Sequence, residues 1–336
     1  GDLSELRFAN LELALGQGEL PITLSGEAKL APRANGSLDV TLASKRVDLD
    51  LGDQKAAATG AAHVLPLLTE AQRLLAALPF PARIAVTADG ILAGGQLARD
   101  IHATLRAANG LVQVQRLEAK LPGRAAISLT GKTDRDRFSG PLTFESEEPQ
   151  IFSRWLLGEE MSRRFSLSQT LRVTGELSFA PNEMSLRSAE AELGRMTLKG
   201  AVALQQARDP VKQILDLRLV AEKVDIDPLL PFLQGVLNGQ SGIDFVAEFS
   251  AVDARLFGAG MKTANLSASS VGGVATITQL SIDNLDGFSL LAKRMQAEKG
   301  EIEFSLTATR AGGASKALEY LSGSAELAAI LARYSA

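Results

Sequence analysis

Apolar and polar residues alternate with period two through most of this chain, the pattern of strands with one buried face. In Leu171-Arg-Val-Thr-Gly-Glu-Leu-Ser-Phe179 the odd positions are apolar, apart from Gly175, and the even ones polar. Ile243 to Phe249, Glu301 to Leu306 and Arg124 to Thr130 follow the same rule. Short turn signals separate the runs: Ala108-Asn-Gly110, Ala180-Pro-Asn182, Gly272-Gly273, Lys299-Gly300 and Arg310-Ala-Gly-Gly313. Period 3.6 replaces period two in few places. Leu67, Leu68, Ala71, Leu74, Leu75 and Leu78 share one face of a helix opened by Pro66. Asp227 and Pro228 open a second helix that carries Leu229, Leu230 and Phe232. Ile151, Phe152, Trp155 and Leu156 mark a third between Pro149 and Met161, and the tail from Ser315 to Tyr334 reads as helical, broken near Gly323.

One block recurs. Leu38-Asp-Val-Thr-Leu-Ala-Ser-Lys-Arg-Val-Asp-Leu-Asp50 closely resembles Leu215-Asp-Leu-Arg-Leu-Val-Ala-Glu-Lys-Val-Asp-Ile-Asp227. A Leu-rich helical stretch and a fresh ladder follow each copy, so similar blocks span about 38–131 and 215–306. Roughly 15–18 strand-like runs face about four amphipathic helices. Helices ~10–12 Å wide over strands ~4.8 Å apart cover about a third of such a sheet. The expected fold is therefore mainly β. Either the sheet folds onto itself as a sandwich or barrel, or part of its apolar face stays open as a groove, with a few short amphipathic helices on it. With no Pro/Ser-rich linker to divide it, residues 1–336 read as one repeat-built body.

Composition sharpens this picture. The chain is 46% hydrophobic but only 5% aromatic, so its apolar faces are aliphatic and weakly directional. The 35 basic and 39 acidic residues are interspersed with no basic run, which argues against nucleic acid as a partner. With no cysteine there is no disulfide framework, thiolate metal site or cysteine nucleophile. His63 and His102 stand alone, without metal-ligand spacing. The pairs Asp48/Asp50 and Asp225/Asp227 put two acids on one strand face, opposite Val47, Leu49 and Leu51 or Val224 and Ile226. That placement suits a solvated face better than a cation site. Glu145 to Pro149 reads as a charged loop entering a helix, and Asp134 to Arg137 as a polar turn. The glycine pairs 94–95, 272–273 and 312–313 lack phosphate-loop spacing and read as turns. Nothing supports catalysis, a cofactor or a metal. A carbohydrate-active solenoid would need paired carboxylates on a concave face, and the acids here fall on the outward phase.

The strand, acidic exit, Leu-rich helix and following ladder resemble the AsmA family of bacterial envelope proteins. The resemblance is carried by Ala82-Arg-Ile-Ala-Val-Thr-Ala-Asp89, by Leu97 to Ala119 and by Leu121-Pro-Gly-Arg-Ala-Ala-Ile-Ser-Leu-Thr-Gly131. The cadence returns at Gly258 to Leu285 and in part at Leu171 to Leu204. It lies in rhythm and includes no catalytic motif. The resemblance implies an elongated, strongly twisted antiparallel sheet curled into a hydrophobic groove. It also implies a Gram-negative periplasmic protein, held in the inner membrane by an N-terminal helix, with a role in outer-membrane lipid homeostasis or phospholipid movement. This sequence contains no such helix, so the expectation is a segment of a longer, membrane-anchored chain.

The functional expectation is a non-enzymatic protein that shields phospholipid or other acyl-chain lipid in its groove and contributes to lipid transport. Expected lining residues are Val173, Leu177, Phe179, Ile243, Phe245, Phe249, Ile302, Phe304 and Leu306. The helices bearing Leu67, Leu68, Leu74, Leu75, Leu229, Leu230 and Phe232 would cap it. The alternative is a scaffold with a filled β core that supports outer-membrane protein biogenesis and meets envelope proteins through its edge strands.

Overall fold

A computed structural model describes residues 5–15, 22–31, 36–50, 59–60, 70–134, 136–159, 162, 169–180, 183–206, 213–227, 244–256, 258–272, 274–285, 287–296 and 303–308. The protein is mainly β and mostly antiparallel. It divides into two compact units, Gly1–Arg187 and Ser188–Ala336, with the boundary inside one strand.

In the first unit, β1 (Leu6–Leu15), β2 (Ile22–Ala31) and β3 (Ser37–Ser44) pair in sequence order as an antiparallel meander. A two-residue β4 (Val47–Asp48) follows. A second meander runs through β5 (Ala82–Ala93), β6 (Gln96–Ala108), β7 (Leu111–Leu121), β8 (Ala125–Asp134), β9 (Arg137–Ser146) and β10 (Leu171–Ala180). The turns are as short as their residues predict. Gly94 and Gly95 (φ 58° and 71°) close β5–β6, and Asn109 and Gly110 (φ 52° and 75°) close β6–β7. Consecutive left-handed residues give the primed turns that match strand twist. Residues 70–76 form α1, and α2 (Pro149–Leu157) carries Pro149 in its first turn.

β11 (Glu183–Leu193) spans the unit boundary. The second unit continues with β12 (Met196–Gln206), β13 (Gln213–Glu222), β14 (Asp244–Leu256), β15 (Ala259–Val271), β16 (Val274–Leu285), β17 (Phe288–Gln296) and β18 (Glu303–Ala308). From β14 to β18 each strand pairs antiparallel with the next.

The meander is not antiparallel throughout. β3 and β4 run parallel to β5, and β13 runs parallel to β14. These two junctions fall at the two copies of the repeated block. The reason lies in the connection: parallel neighbours need a crossover of a dozen or more residues, and each block is followed by the Leu-rich stretch that supplies it. The repeat also fixes register. Gln115 is an extra residue between the pairs Thr104↔Arg116 and Leu105↔Val114, and Thr278 is the extra residue between Ser267↔Gln279 and Ala268↔Ile277. The same bulge thus sits at the same place in both copies.

Candidate functional site

Strand register gathers the aliphatic residues of the first unit into rows that cross its strands. One row runs Leu42, Val86, Ala103, Leu117, Leu129 and Leu142, each opposite the next. Its neighbour runs Val40, Ile84, Leu105 and Val114. Leu42 is buried, but Val86, Ala103, Leu117, Leu129, Leu142, Ile84 and Leu105 are only half-buried. The opposite phase of the same strands carries Arg83, Thr87, Arg106, Gln113 and Lys132, all exposed. The sheet thus has one aliphatic and one polar face.

Burial is completed at the two ends of the strands. At one end Ala82, Ala107 and Val112 are 3% exposed each, and Leu38, Leu75, Ala76 and Leu78 pack on them, bringing in α1. At the other end α2 docks through Phe152 and Trp155. The Phe144 and Phe152 ring centroids lie 4.5 Å apart, and those of Phe152 and Trp155 5.9 Å apart. The Trp155 indole Nε1–H donates to the Ala93 carbonyl oxygen (2.7 Å), satisfying its one polar atom in a buried site. Close approach of α2 requires Gly123 (φ 80°). A β-carbon there would lie 2.5 Å from the Glu148 carbonyl oxygen and 2.7 Å from the Phe152 nitrogen.

The second unit treats the corresponding face differently. Phe245 (2%), Phe249 (9%), Ala251 (1%), Ala264 (7%) and Ala268 (3%) are buried across β14 and β15, with Ala221 (2%) on β13. Phe245 stands opposite Leu215 and Ser270, and Phe249 opposite Leu219 and Leu266.

Of the lining residues expected from sequence, Val173, Leu177 and Phe179 on β10 are half-buried. They pair with Phe144, Gly140 and Phe138 on the first unit's aliphatic face. Phe245 and Phe249 instead lie in the second unit's core. Phe304 and Leu306 take register places opposite Ala292 and Leu290, while Ile243 and Ile302 lie outside the described residues. Of the capping set, Leu75 packs at the end of the sheet and Leu74 is 58% exposed. The expected helical face therefore turns by one position: Ala76 faces in, and Leu74 and Ala71 face out. Leu67, Leu68, Leu229, Leu230 and Phe232 lie outside the described residues. The half-buried rows went unread because the bulge at Gln115 switches the apolar phase of β7 from even to odd positions, which breaks simple alternation.

The aspartate pairs have a definite local role. The Asp50 N–H donates to Asp48 Oδ1 (3.1 Å), and the Asp227 N–H donates to Asp225 Oδ1 (3.1 Å). Beside them the Leu49 N–H donates to the Leu92 carbonyl and the Ile226 N–H to the Arg255 carbonyl, both at 2.9 Å. Asp50 also accepts from the Gly94 and Gly95 N–H groups at 2.8 and 2.9 Å, tying the crossover to the β5–β6 turn. These acids are turn-formers, a more specific role than the solvated face expected for them. Among the described residues no group of three or more His, Asp or Glu side chains could hold a metal. Surface ion pairs account for the shifted acids. The hydrogen bond and charge of Lys120 hold Asp100 below the usual carboxylate range, Arg116 does the same to Glu118, and Arg137 to Glu183. His102 is exposed on β6, and His63 lies outside the described residues.

Comparison with family models, curated proteins and solved structures finds no match for the chain. No described helix is long and apolar enough to cross a membrane.

Proposed function

We propose that the first unit is a non-enzymatic lipid-shielding element, of the kind its AsmA-like cadence implies, working in a Gram-negative periplasm on phospholipid or another acyl-chain lipid. One observation carries the reading. The central rows from Val86 to Leu142 are aliphatic yet half-buried, while the described residues of α1 and α2 pack at the two ends of the strands. An acyl chain laid along these rows completes their burial. Each CH₂ removed from water contributes ~0.8 kcal/mol, so most of a ~16-carbon chain is worth on the order of 10 kcal/mol before ordering costs. An aliphatic lining with few aromatic anchors holds a flexible chain without fixing its position.

Burial of Phe245 (2% exposed) and Phe249 (9%) favours the scaffold reading for the second unit. The two roles then coexist in one chain.

The test is organic extraction of the purified protein followed by lipid mass spectrometry, together with uptake of a fluorescent phospholipid. Wild-type protein should carry acyl lipid. Leu117→Asp and Leu129→Asp should keep the circular dichroism of the wild type while losing most of the bound lipid. Protein that comes out free of lipid and refuses the probe overturns the proposal.

A further inference from the structure

Read one residue at a time the chain has no basic run, but register assembles one. On the polar face of the first unit, Arg7 lies opposite Lys29, and Lys29 opposite Asp39. Asp39 lies opposite Arg83, and Arg83 opposite Arg106. Gln113 then links Arg106 to Lys132. The row crosses seven adjacent strands, six steps of ~4.8 Å or roughly 29 Å, and holds five cations against one acid. All are exposed.

Two observations mark the row as awaiting an anion. First, several other cations of this unit pair with carboxylates: Lys120–Asp100 at 2.7 Å, Arg154–Glu159 at 2.8 Å, Arg124–Glu147 at 2.9 Å and Arg172–Glu145 at 3.3 Å. In the row Arg7 is matched by Glu5 (3.0 Å), whose carboxylate also feels the charge of Lys29, but Arg83, Arg106 and Lys132 have no ion-pair partner among the described residues. Second, Arg83 faces Arg106 directly across a strand pair, a placement that costs stability unless a counter-charge lies over it.

Apolar exposure at the same end selects the kind of anion. Leu111, 52% exposed, lies one pleat beyond Gln113 on this face, beside the Asn109–Gly110 turn. A short row of cations on adjacent strands with one protruding leucine beside it matches an anionic bilayer surface, where cations meet phosphates and the leucine enters the acyl boundary. A nucleic acid would leave Leu111 without a role. We infer that this end of the first unit docks on an anionic lipid surface through Arg83, Arg106 and Lys132, with Leu111 inserting. The inference concerns the polar face and does not rest on the aliphatic face carrying lipid.

Flotation of the whole chain with phosphatidylcholine vesicles, with and without phosphatidylglycerol, tests it. Binding should require phosphatidylglycerol and fall with added salt. Replacing Arg83, Arg106 and Lys132 together with glutamine should weaken it roughly 100-fold, at about 1 kcal/mol per cation. Removing opposed like charges should leave the thermal midpoint unchanged or raised, so loss of binding is not loss of fold. Leu111→Ser should weaken binding several-fold with an unchanged salt slope, and Arg99→Gln at the other end of the strands should have no effect. Equal binding to pure phosphatidylcholine, or indifference to the triple substitution, overturns the inference. So does a single-stranded oligonucleotide that displaces vesicles and is held equally well by Leu111→Ser protein.

Discussion

The two parallel junctions share one backbone plan and differ in what fills it. Leu38 beside Ala82 in the first unit corresponds to Leu215 beside Phe245 in the second, and Leu42 beside Val86 corresponds to Leu219 beside Phe249. Across the next pair, Val86 opposite Ala103 corresponds to Phe249 opposite Leu266. Small residues leave the first sheet face to be finished by other groups, at one end by Leu75, Ala76 and Leu78. Large ones at the same places in the second are buried, Phe245 at 2% and Phe249 at 9% exposure. Side-chain volume at matched positions, with topology held constant, separates a half-buried aliphatic row from buried aromatic anchors.

Phe245→Asp breaks this contrast most severely. A carboxylate at a site 2% exposed, with the ring's volume lost as well, should abolish the second unit's cooperative transition, since Phe→Ala in a core alone costs ~3–5 kcal/mol. Leu117→Asp, on a half-buried row, should cost the first unit far less. Equal losses in urea denaturation would erase the distinction between the faces. Next is Trp155, the one tryptophan of the chain and the anchor of α2. Trp155→Ala should cost ~3–5 kcal/mol and Trp155→Phe ~1–3 kcal/mol, because the Ala93 carbonyl then loses its donor. The indole's own fluorescence in the wild type reports whether this end opens before global unfolding.

Smaller effects sharpen the equivalence of the junctions. Asp48→Ala and Asp225→Ala each remove one Asx hydrogen bond and should cost about 0.5–1.5 kcal/mol, alike to within a few tenths. Unequal costs by chemical denaturation would show that matched geometry hides different energetics. Smallest is the response to acid. Asp100, Glu118 and Glu183 have lowered folded-state pKa values, so their stabilisation is complete above the ordinary carboxylate range near pH 4. It disappears as pH falls through the lowered values. These pairs are exposed, so the thermal midpoint should drop only slightly between pH 5 and 3 on their account, while carboxyl NMR titrations register the shifts directly.

Much of this was readable in one dimension. Alternation located the strands, Asn109–Gly110 and Gly94–Gly95 the turns, and the Phe152/Trp155 stripe the face of α2. What escaped depends on which strand lies beside which. The parallel junctions were signalled by the Leu-rich helical pattern in the sequence after each repeated block, but such a pattern says that a crossover exists and not which strands it joins. The phase switch at Gln115 is a property of a strand pair. Arg83 and Arg106 meet only because β5 and β6 are in register, so no scan for clustered charge finds them.

Within each described meander every strand bonds to the strand next to it in sequence, so most of the sheet forms by local zippering with little loop entropy to overcome. Only the crossovers interrupt this, where Leu38 must find Ala82 and Leu215 must find Phe245. Folding speed should therefore be governed by the two searches that close those crossovers. Mutations there will slow refolding, while mutations in the hairpins mainly hasten unfolding.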